Sequence, residues 1–533
     1  MRGFHIDMNV AQFTRPYLEK WLRELAGLGY DAIIWEVENN IRWESCPECA
    51  SPDAFSKDEF RQVLDYSRRL GLEPIPLFQT IAHCEYVLKH DAYRHLAEMP
   101  GEISQYCPRN PDLLPFLARW MEEYLDVFGK VRYFHVGADE AWWLGKCPRC
   151  RDFVAAHSLS QLYIEHVNAV SEPLRRHGIT PIIWADMVLH RHEAIDALSR
   201  DIMLFDWIYS VHRGDGKVQV WDIGLRDRDG IPPETLKVFG KSLFPLGDEP
   251  ARDPETFYTA DFLAAQGFRV VTCPAASSYG DNVFSPRNWY HMVNTFDSFR
   301  KGMSEHLHGS VLTSWTVHLF PYELQLACIA IPGYLAGNPR GTIEEFQQAF
   351  VQERFGLDEA QDFFRACGLL SKSCLFTHTS SLGFGKDTMP VPLDWAVRKV
   401  QEADDKERAE AELNNCTDRL QEYRQALGIF ERLATEAPTG HELLDAWLLA
   451  GRNLINRAEA AAILLERVED AEQGMPMDPE EKAHAVGILA EMRALKEQTR
   501  AAYSRIYRPG RCAEAVGWMF DSVEHALAEA VGG

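Results

Sequence analysis

The sequence predicts an α/β protein, a (β/α)8 TIM barrel followed by a C-terminal all-α helical domain. Three observations carry that expectation. Eight short β-rich runs alternate with amphipathic segments between residue 3 and about 316, polar and aromatic residues gather where those runs end, and strand-like sequence disappears after Pro332 and Gly333. Parallel strands joined by helical crossovers form right-handed units, and eight such units close a barrel.

The β-rich runs are GFHIDM (3–8), AIIWEV (32–37), PIPLF (74–78), YFHVG (133–137), PIIWA (181–185), IMLFDW (202–207), RVVTC (269–273) and SVLTSW (310–315). Between them, residues 16–28, 57–70, 112–128, 160–177 and 288–306 carry apolar side chains at i, i+3 and i+4, the period of a helix with one buried face. From about 340 to 530 the chain is rich in Ala, Glu, Leu and Arg, with long helical stretches near 395–435, 440–470 and 479–507. Such stretches are expected to pack antiparallel. The expected division is a catalytic barrel over 1–335 and a helical domain over 336–533, the latter structural or a surface for homo-oligomer formation.

Hydrophobic residues make up 46% of the 533 and charged ones 25%, the balance of a globular protein. The 79 acidic against 55 basic residues give a charge of −24, which repels nucleic acid and anionic membranes and favours neutral or cationic partners. No apolar stretch approaches the ~20 residues of a membrane helix, and no basic-then-apolar leader opens the chain. A cytoplasmic protein is expected, with its twelve cysteines as thiols or metal ligands.

The chemistry concentrates in FHVGADEAWWLGKCPRC (134–150), where Asp139 and Glu140 end a strand-like run. Neighbours at a strand end leave in different directions and reach two sides of one bound group. Two carboxyl groups are what glycoside hydrolysis uses, and mutual repulsion raises the pKa of one so that it stays protonated as a general acid. Other run ends contribute Asp7, Glu36, Glu38, Gln79, His83, Trp184, Asp186, Trp207, Tyr279, Asp281 and Trp315. In a parallel barrel all these ends share one rim, and indole faces there suit sugar rings.

His135 to Glu140, HVGADE, resembles the His-x-Gly-Gly-Asp-Glu signature of the family 20 glycoside hydrolases, the β-N-acetylhexosaminidases, and among them the hexosaminidase D branch. Arg2, Gly3 and Asp7 resemble the family's first strand; PIPLFQTIAHCEYVLKH (74–90) is similar to its third strand and loop, with His83 as the family histidine; PIIWADM (181–187) is similar to the fifth strand, and Trp315 falls at the eighth-strand Trp. The resemblance spans about 2–335. It implies a substrate-assisted retaining mechanism on terminal N-acetylhexosamine, in which the 2-acetamido oxygen attacks the anomeric carbon to give an oxazolinium ion. By the same resemblance, Asp139 orients the acetamide N–H and Glu140 serves as acid, then base. Tyr279 would hold the acetamide oxygen within the family's Tyr-x-Asp (Tyr279 to Asp281), Arg2 would bind ring hydroxyls, and Trp184, Trp207 and Trp315 would wall the pocket. His83, His135 and Glu38 complete the substrate-binding set. Val317 stands where familiar members carry a glutamate, and strand two ends in Trp35-Glu36-Val37-Glu38-Asn39 without the common His and Asp pair, so the choice between gluco and galacto sugars stays open.

Cys46-Pro-Glu-Cys49 and Cys147-Pro-Arg-Cys150 follow the second and fourth runs, and two such knuckles resemble the halves of a tetrahedral structural zinc site. Four thiolates close the coordination shell, so the expected zinc ties two rim loops together and the acid pair acts without it. His5, His135 and His318 are read as hydrogen-bonding histidines and not as metal ligands. Two other readings compete: a zinc-dependent hydrolase using metal-bound water, which needs an open ligand position, and a non-hydrolysing sugar-binding barrel, which has no use for an intact acid pair.

Overall fold

Eight staves of parallel strand close on themselves in the computed structural model, which describes residues 1–211, 214–245, 253–358, 360–374, 377, 406–472 and 475–532. In chain order the strands are β1 (Arg2–Asp7), β2 (Ala32–Glu36), β3 (Glu73–Leu77), β4 (Tyr133–His135), β5 (Thr180–Trp184), β6 (Met203–Asp206), β7 (Lys217–Val220), β8 (Gly224–Asp227), β9 (Arg269–Thr272), β10 (Ala275–Ser277) and β11 (Ser310–Ser314). The barrel runs β1-β2-β3-β4-β5-β6-β9-β11 and closes by β1 pairing with β11. A break at Cys273 and Pro274 splits the seventh stave into β9 and β10, and β10 continues along β11 with an irregular register between Ala275 and Ser277. Proline supplies no N–H for the ladder.

The alternation of side chains explains the two cores. Along β2, Ala32 and Ile34 point inward with Ile75, Leu77, Ile182, Trp184, Met203, Phe205, Val271 and Val311, while Ile33 and Trp35 join the layer between strands and helices. Trp35 meets Phe60 edge-on there, with ring centroids 5.3 Å apart. Each of the five sequence-predicted barrel helices is present, as Arg15–Gly27, Lys57–Arg69, Leu113–Phe128, Leu159–Arg176 and Asn288–Gly302. Lys57–Arg69 begins in a capping box: Ser56 Oγ accepts from Glu59 N, and the Glu59 carboxylate accepts from Ser56 N.

The antiparallel hairpin β7–β8 between β6 and β9 has no counterpart in the eight-beat sequence pattern. Helix Tyr322–Gly337 contains Pro332 and crosses the expected division at 335/336, so the change in composition precedes the end of a barrel helix. Beyond it lie Ile343–Phe355, Ala360–Leu370, Lys406–Glu436, His441–Glu472, Pro479–Tyr503 and Pro509–Gly532. The part of the expected 395–435 stretch before residue 406 lies outside the described residues.

The helical region grips the barrel beside the first two strand-to-helix loops. Thr14 N donates to Ile506 O at 2.7 Å and Arg508 N to Gln12 O at 2.7 Å, while the Phe13 and Tyr507 rings stack at 5.6 Å. The Arg508 guanidinium lies 3.6 Å from the Phe55 ring centroid and donates to Asp53 O, a cation–π contact that holds the loop after β2.

Candidate active site

The chain leaves β4 through a turn in which Gly137, Ala138 and Glu140 all have positive φ (68°, 75° and 47°). That left-handed path turns Asp139 and Glu140 over the rim. Gly137 is required twice over, because a Cβ there would lie 1.9 Å from Gln79 Oε1 as well as being strained at that φ. Ala138 sits where the resembled signature has its second glycine, and a left-handed alanine carries a cost of order 1 kcal/mol. Replacing Gly137 by Ala is expected to lower unfolding stability by about 1–3 kcal/mol, read as a fall in the denaturant midpoint at unchanged slope.

One imidazole joins the two acids. His83 Nε2 lies 3.2 Å from Asp139 Oδ2 and 3.5 Å from Glu140 Oε2. Burial pulls the His83 pKa down, but the charge and hydrogen bond of Asp139, with Glu85 and Glu140 adding to them, outweigh burial and hold it well above the ordinary value. Asp139 Oδ1 is buried with no hydrogen-bond partner among the described residues. Glu140 is tethered by its N–H to Asp186 Oδ2 at 2.8 Å, and its carboxyl is pushed above the usual glutamate value by burial and by Asp139, with His83 opposing. Asp186 is itself raised well above the aspartate value by burial, then by the neighbouring Asp139.

Beneath the acids lies an aromatic floor. Trp184 packs on His135 at 4.5 Å and Trp315 at 5.6 Å between ring centroids. Trp315 Nε1 donates to the Tyr209 hydroxyl at 2.8 Å, Trp207 stacks on Tyr209 at 5.3 Å, and Trp221 from the β7–β8 hairpin meets Trp207 edge-on at 5.0 Å. The structure therefore brings Asp139, Glu140, His83, Trp184, Asp186, Trp207 and Trp315 to one rim, as the sequence reading expects, and adds Tyr209 and Trp221.

Residues 36–221 match the family described as glycosyl hydrolase family 20, catalytic domain. That segment is thus similar to the catalytic domain of the family. Two curated relatives are similar to the chain: Hexosaminidase D of Bos taurus, 30% identical over 193 residues, and Hexosaminidase D of Homo sapiens, 28% identical over 376. The alignments cover 35% and 68% of this chain, and the chain spans just over half (56%) of the bovine protein and 70% of the human one. Among solved structures, the β-N-acetylhexosaminidase of Bacteroides fragilis NCTC 9343 is similar at 15% identity and a TM-score of 0.47, covering 66% of this chain and 69% of that one.

Several residues assigned to substrate by likeness to family 20 lie elsewhere. Arg2 opens β1 and pairs in register with Ser310 at the start of β11, whereas the rim residue of that strand is Asp7. At about 3.3 Å per residue, Arg2 sits some 16 Å from the acids' end of the barrel, so its role as a ligand for ring hydroxyls is corrected. His135 is fully buried; its Nδ1 accepts from Gly137 N at 3.0 Å, and burial drives its pKa well down, which makes it a neutral support under Trp184 and not a sugar contact. Tyr279 is 61% exposed and Asp281 is fully buried, so the expected Tyr-x-Asp does not face a common ligand. The Asp281 carboxylate is engaged by His291 Nε2 at 2.8 Å, Arg287 Nε at 2.9 Å and Arg287 N at 3.1 Å. Burial alone would raise its pKa, yet His291, His318 and Arg287 pull it far below the usual value. Glu38, by contrast, stays at the acids' end of the barrel, where the His83 charge acts on it; it is 2% exposed with φ 36°, and its Oε1 has no partner among the described residues. Burial, then Glu36, Asp7 and Glu85, raise its pKa well above the glutamate value.

The thiols also depart from expectation. Cys46 and Cys49 are bonded to each other, so the four-cysteine set Cys46, Cys49, Cys147 and Cys150 does not assemble. Strand order gives the reason: β3 lies between β2 and β4, so the loop after β3 separates the two knuckles and meets the second one itself. That loop brings Glu98 and Cys107 to Cys147 and Cys150. No spacing in the sequence marks a lone cysteine and a glutamate nine residues apart as partners.

Among the described residues, no helix is long and apolar enough to cross a membrane.

Proposed function

We propose that the chain is a retaining exo-β-N-acetylhexosaminidase acting on terminal β-linked N-acetylglucosamine or N-acetylgalactosamine, with the substrate's own acetamide oxygen as nucleophile. The observation that carries this reading is the pair of carboxyl groups bridged by His83 above an aromatic floor, with Asp139 Oδ1 buried and unpartnered. A carboxylate held on one oxygen by a cationic imidazole is poor as a nucleophile and well suited to accept the acetamide N–H. The names of the two curated relatives point the same way.

In the first step the acetamide oxygen bonds to the anomeric carbon, the glycosidic bond breaks, and Glu140 gives its proton to the leaving oxygen. Asp139 draws on the acetamide N–H as positive charge develops there. In the second step Glu140, now a carboxylate, takes a proton from water, whose oxygen bonds to the anomeric carbon as the oxazolinium ring opens. The Tyr209 hydroxyl, which accepts from Trp315 Nε1, is proposed as donor to the acetamide oxygen in place of Tyr279. Glu38, with its unpartnered Oε1, is proposed to bind sugar hydroxyls where Val317 offers no polar atom. The setting is read as cytosolic because ten buried cysteines that are not disulfide-bonded outweigh the single Cys46–Cys49 bond.

The test is a panel of matched aryl β-glycosides. Removal of the 2-acetamido group removes the nucleophile, so kcat/KM for the plain glucoside is expected to be lower by about a thousandfold or more, the scale of a lost intramolecular reactant. Comparable turnover of the two would overturn the reading, and tight binding without turnover of either would favour a sugar-binding protein.

A further inference from the structure

We propose that Glu98, Cys107, Cys147 and Cys150 form a tetrahedral zinc site of three thiolates and one carboxylate, which clamps the loop after β3 to the loop after β4. All four side chains are buried, and their ligand atoms lie within 4.8 Å of one another. Cys107 Sγ is 3.4 Å from Cys147 Sγ and 3.6 Å from Cys150 Sγ, and Cys150 Sγ is 3.2 Å from Glu98 Oε2. With Zn–S about 2.3 Å and Zn–O about 2.0–2.2 Å, a tetrahedral shell has S···S edges of about 3.8 Å and S···O edges of about 3.5 Å. These three edges are within about 0.4 Å of those values, and the other three are no longer than 4.8 Å. They exceed a disulfide's length of about 2.05 Å by more than an ångström, so these sulfurs converge without bonding.

The surrounding groups fit a thiolate–zinc centre. Cys150 N donates to Cys147 Sγ at 3.3 Å, which disperses charge on that sulfur. Glu98 Oε1 accepts from Lys146 N at 2.8 Å and Cys147 N at 3.0 Å, which turns Oε2 toward the sulfurs. Helix Pro148–Ala156 starts at the same point with Cys147 as its cap. Zinc entry displaces the three thiol protons to solvent, and four ligands leave no position for substrate or water.

The clamp has a functional address. The loop after β3 carries His83 and the loop after β4 carries Asp139 and Glu140, and Gln105 Oε1 adds a second tie by accepting from Trp143 N at 2.8 Å. The zinc thereby sets the distance between the bridging imidazole and the acids it bridges. This assignment stands on its own geometry and its test does not depend on hydrolysis of any substrate.

The test is metal analysis of full-length protein purified without added metal, with circular dichroism to check folding. About one zinc per chain is expected in the unaltered protein and in Cys46→Ser, and less than about a tenth of that in Cys107→Ser and Cys147→Ser, with a lower thermal midpoint for the latter two. Loss of zinc from Cys46→Ser as well would overturn the ligand set. Should the cysteine variants fail to fold, cobalt exchanged into the unaltered protein keeps the proposal open to refutation: thiolate-to-metal charge-transfer absorption and a tetrahedral ligand-field spectrum are expected. No bound metal, or peptide mapping that finds Cys107 disulfide-bonded to Cys147 or Cys150, would end it.

Discussion

Replacing Glu140 by Gln is expected to lower kcat/KM for N-acetylhexosaminides with poor, alkoxide-like leaving groups by about 10²–10⁴-fold, the usual worth of a general acid, and to lower it far less for nitrophenyl glycosides. Glutamine keeps the shape and the place of the side chain but has no proton to give, and only a poor leaving group needs one. The pH profile supplies a second reading. Glu140 is pushed above the ordinary glutamate value, first by burial, then by Asp139 against the opposing pull of His83. The acid is competent while protonated, so rate is present below that raised pKa and lost as pH rises through it. Raising the pKa therefore extends activity toward neutral pH. In Glu140→Gln this alkaline limb should vanish from kcat/KM for the alkoxide substrates. Equal losses for both leaving-group classes, or a limb that persists, would remove Glu140 from the acid role.

The second large effect is expected at Asp139. Its Oδ2 is held by His83 at 3.2 Å and its Oδ1 is left to receive the acetamide N–H. Asparagine would remove the charge that balances the positive acetamide and would offer an N–H to one of two groups that donate. A loss of about 10²–10³-fold is expected, as for removal of one preorganised electrostatic partner of a transition state. Because the loss falls on the nucleophile, it should be the same for good and poor leaving groups, unlike that at Glu140. A thiazoline mimic of the oxazolinium ion should lose more affinity for Asp139→Asn than the product sugar does. A loss confined to poor leaving groups would mean that Asp139 serves the acid and not the acetamide.

How far the site could be read in advance varies residue by residue. Asp139, Glu140, Trp184, Trp207 and Trp315 were legible because each ends a β-rich run, and the parallel barrel turns that linear property into a common rim. Arg2 misleads for the same reason reversed: it begins its run, and one strand's length separates it from the rim. Tyr279 and Asp281 follow the seventh run, yet the break at Pro274 and the pull of His291 and Arg287 take Asp281 into the protein and leave Tyr279 outside. Tyr209 lies two residues beyond its run, as Asp139 does, but stands in no motif that resembles the family's, and Trp221 lies on a hairpin with no place in the eightfold beat, so neither is legible in the sequence.

The sequence by itself determined the barrel, the helical region that follows it and the strand end that bears the acids, since period-2 and period-3.6 patterns are local and each run reports its own burial. Tertiary structure alone decided which side chains meet. The bridge of His83 between two carboxyl groups, the pairing of Cys46 with Cys49, and the convergence of Glu98 and Cys107 on Cys147 and Cys150 depend on which loops are neighbours around the rim. Order along the chain sets the order of strands, but the paths of the loops above them are set by packing, and ligand geometry is a property of those paths.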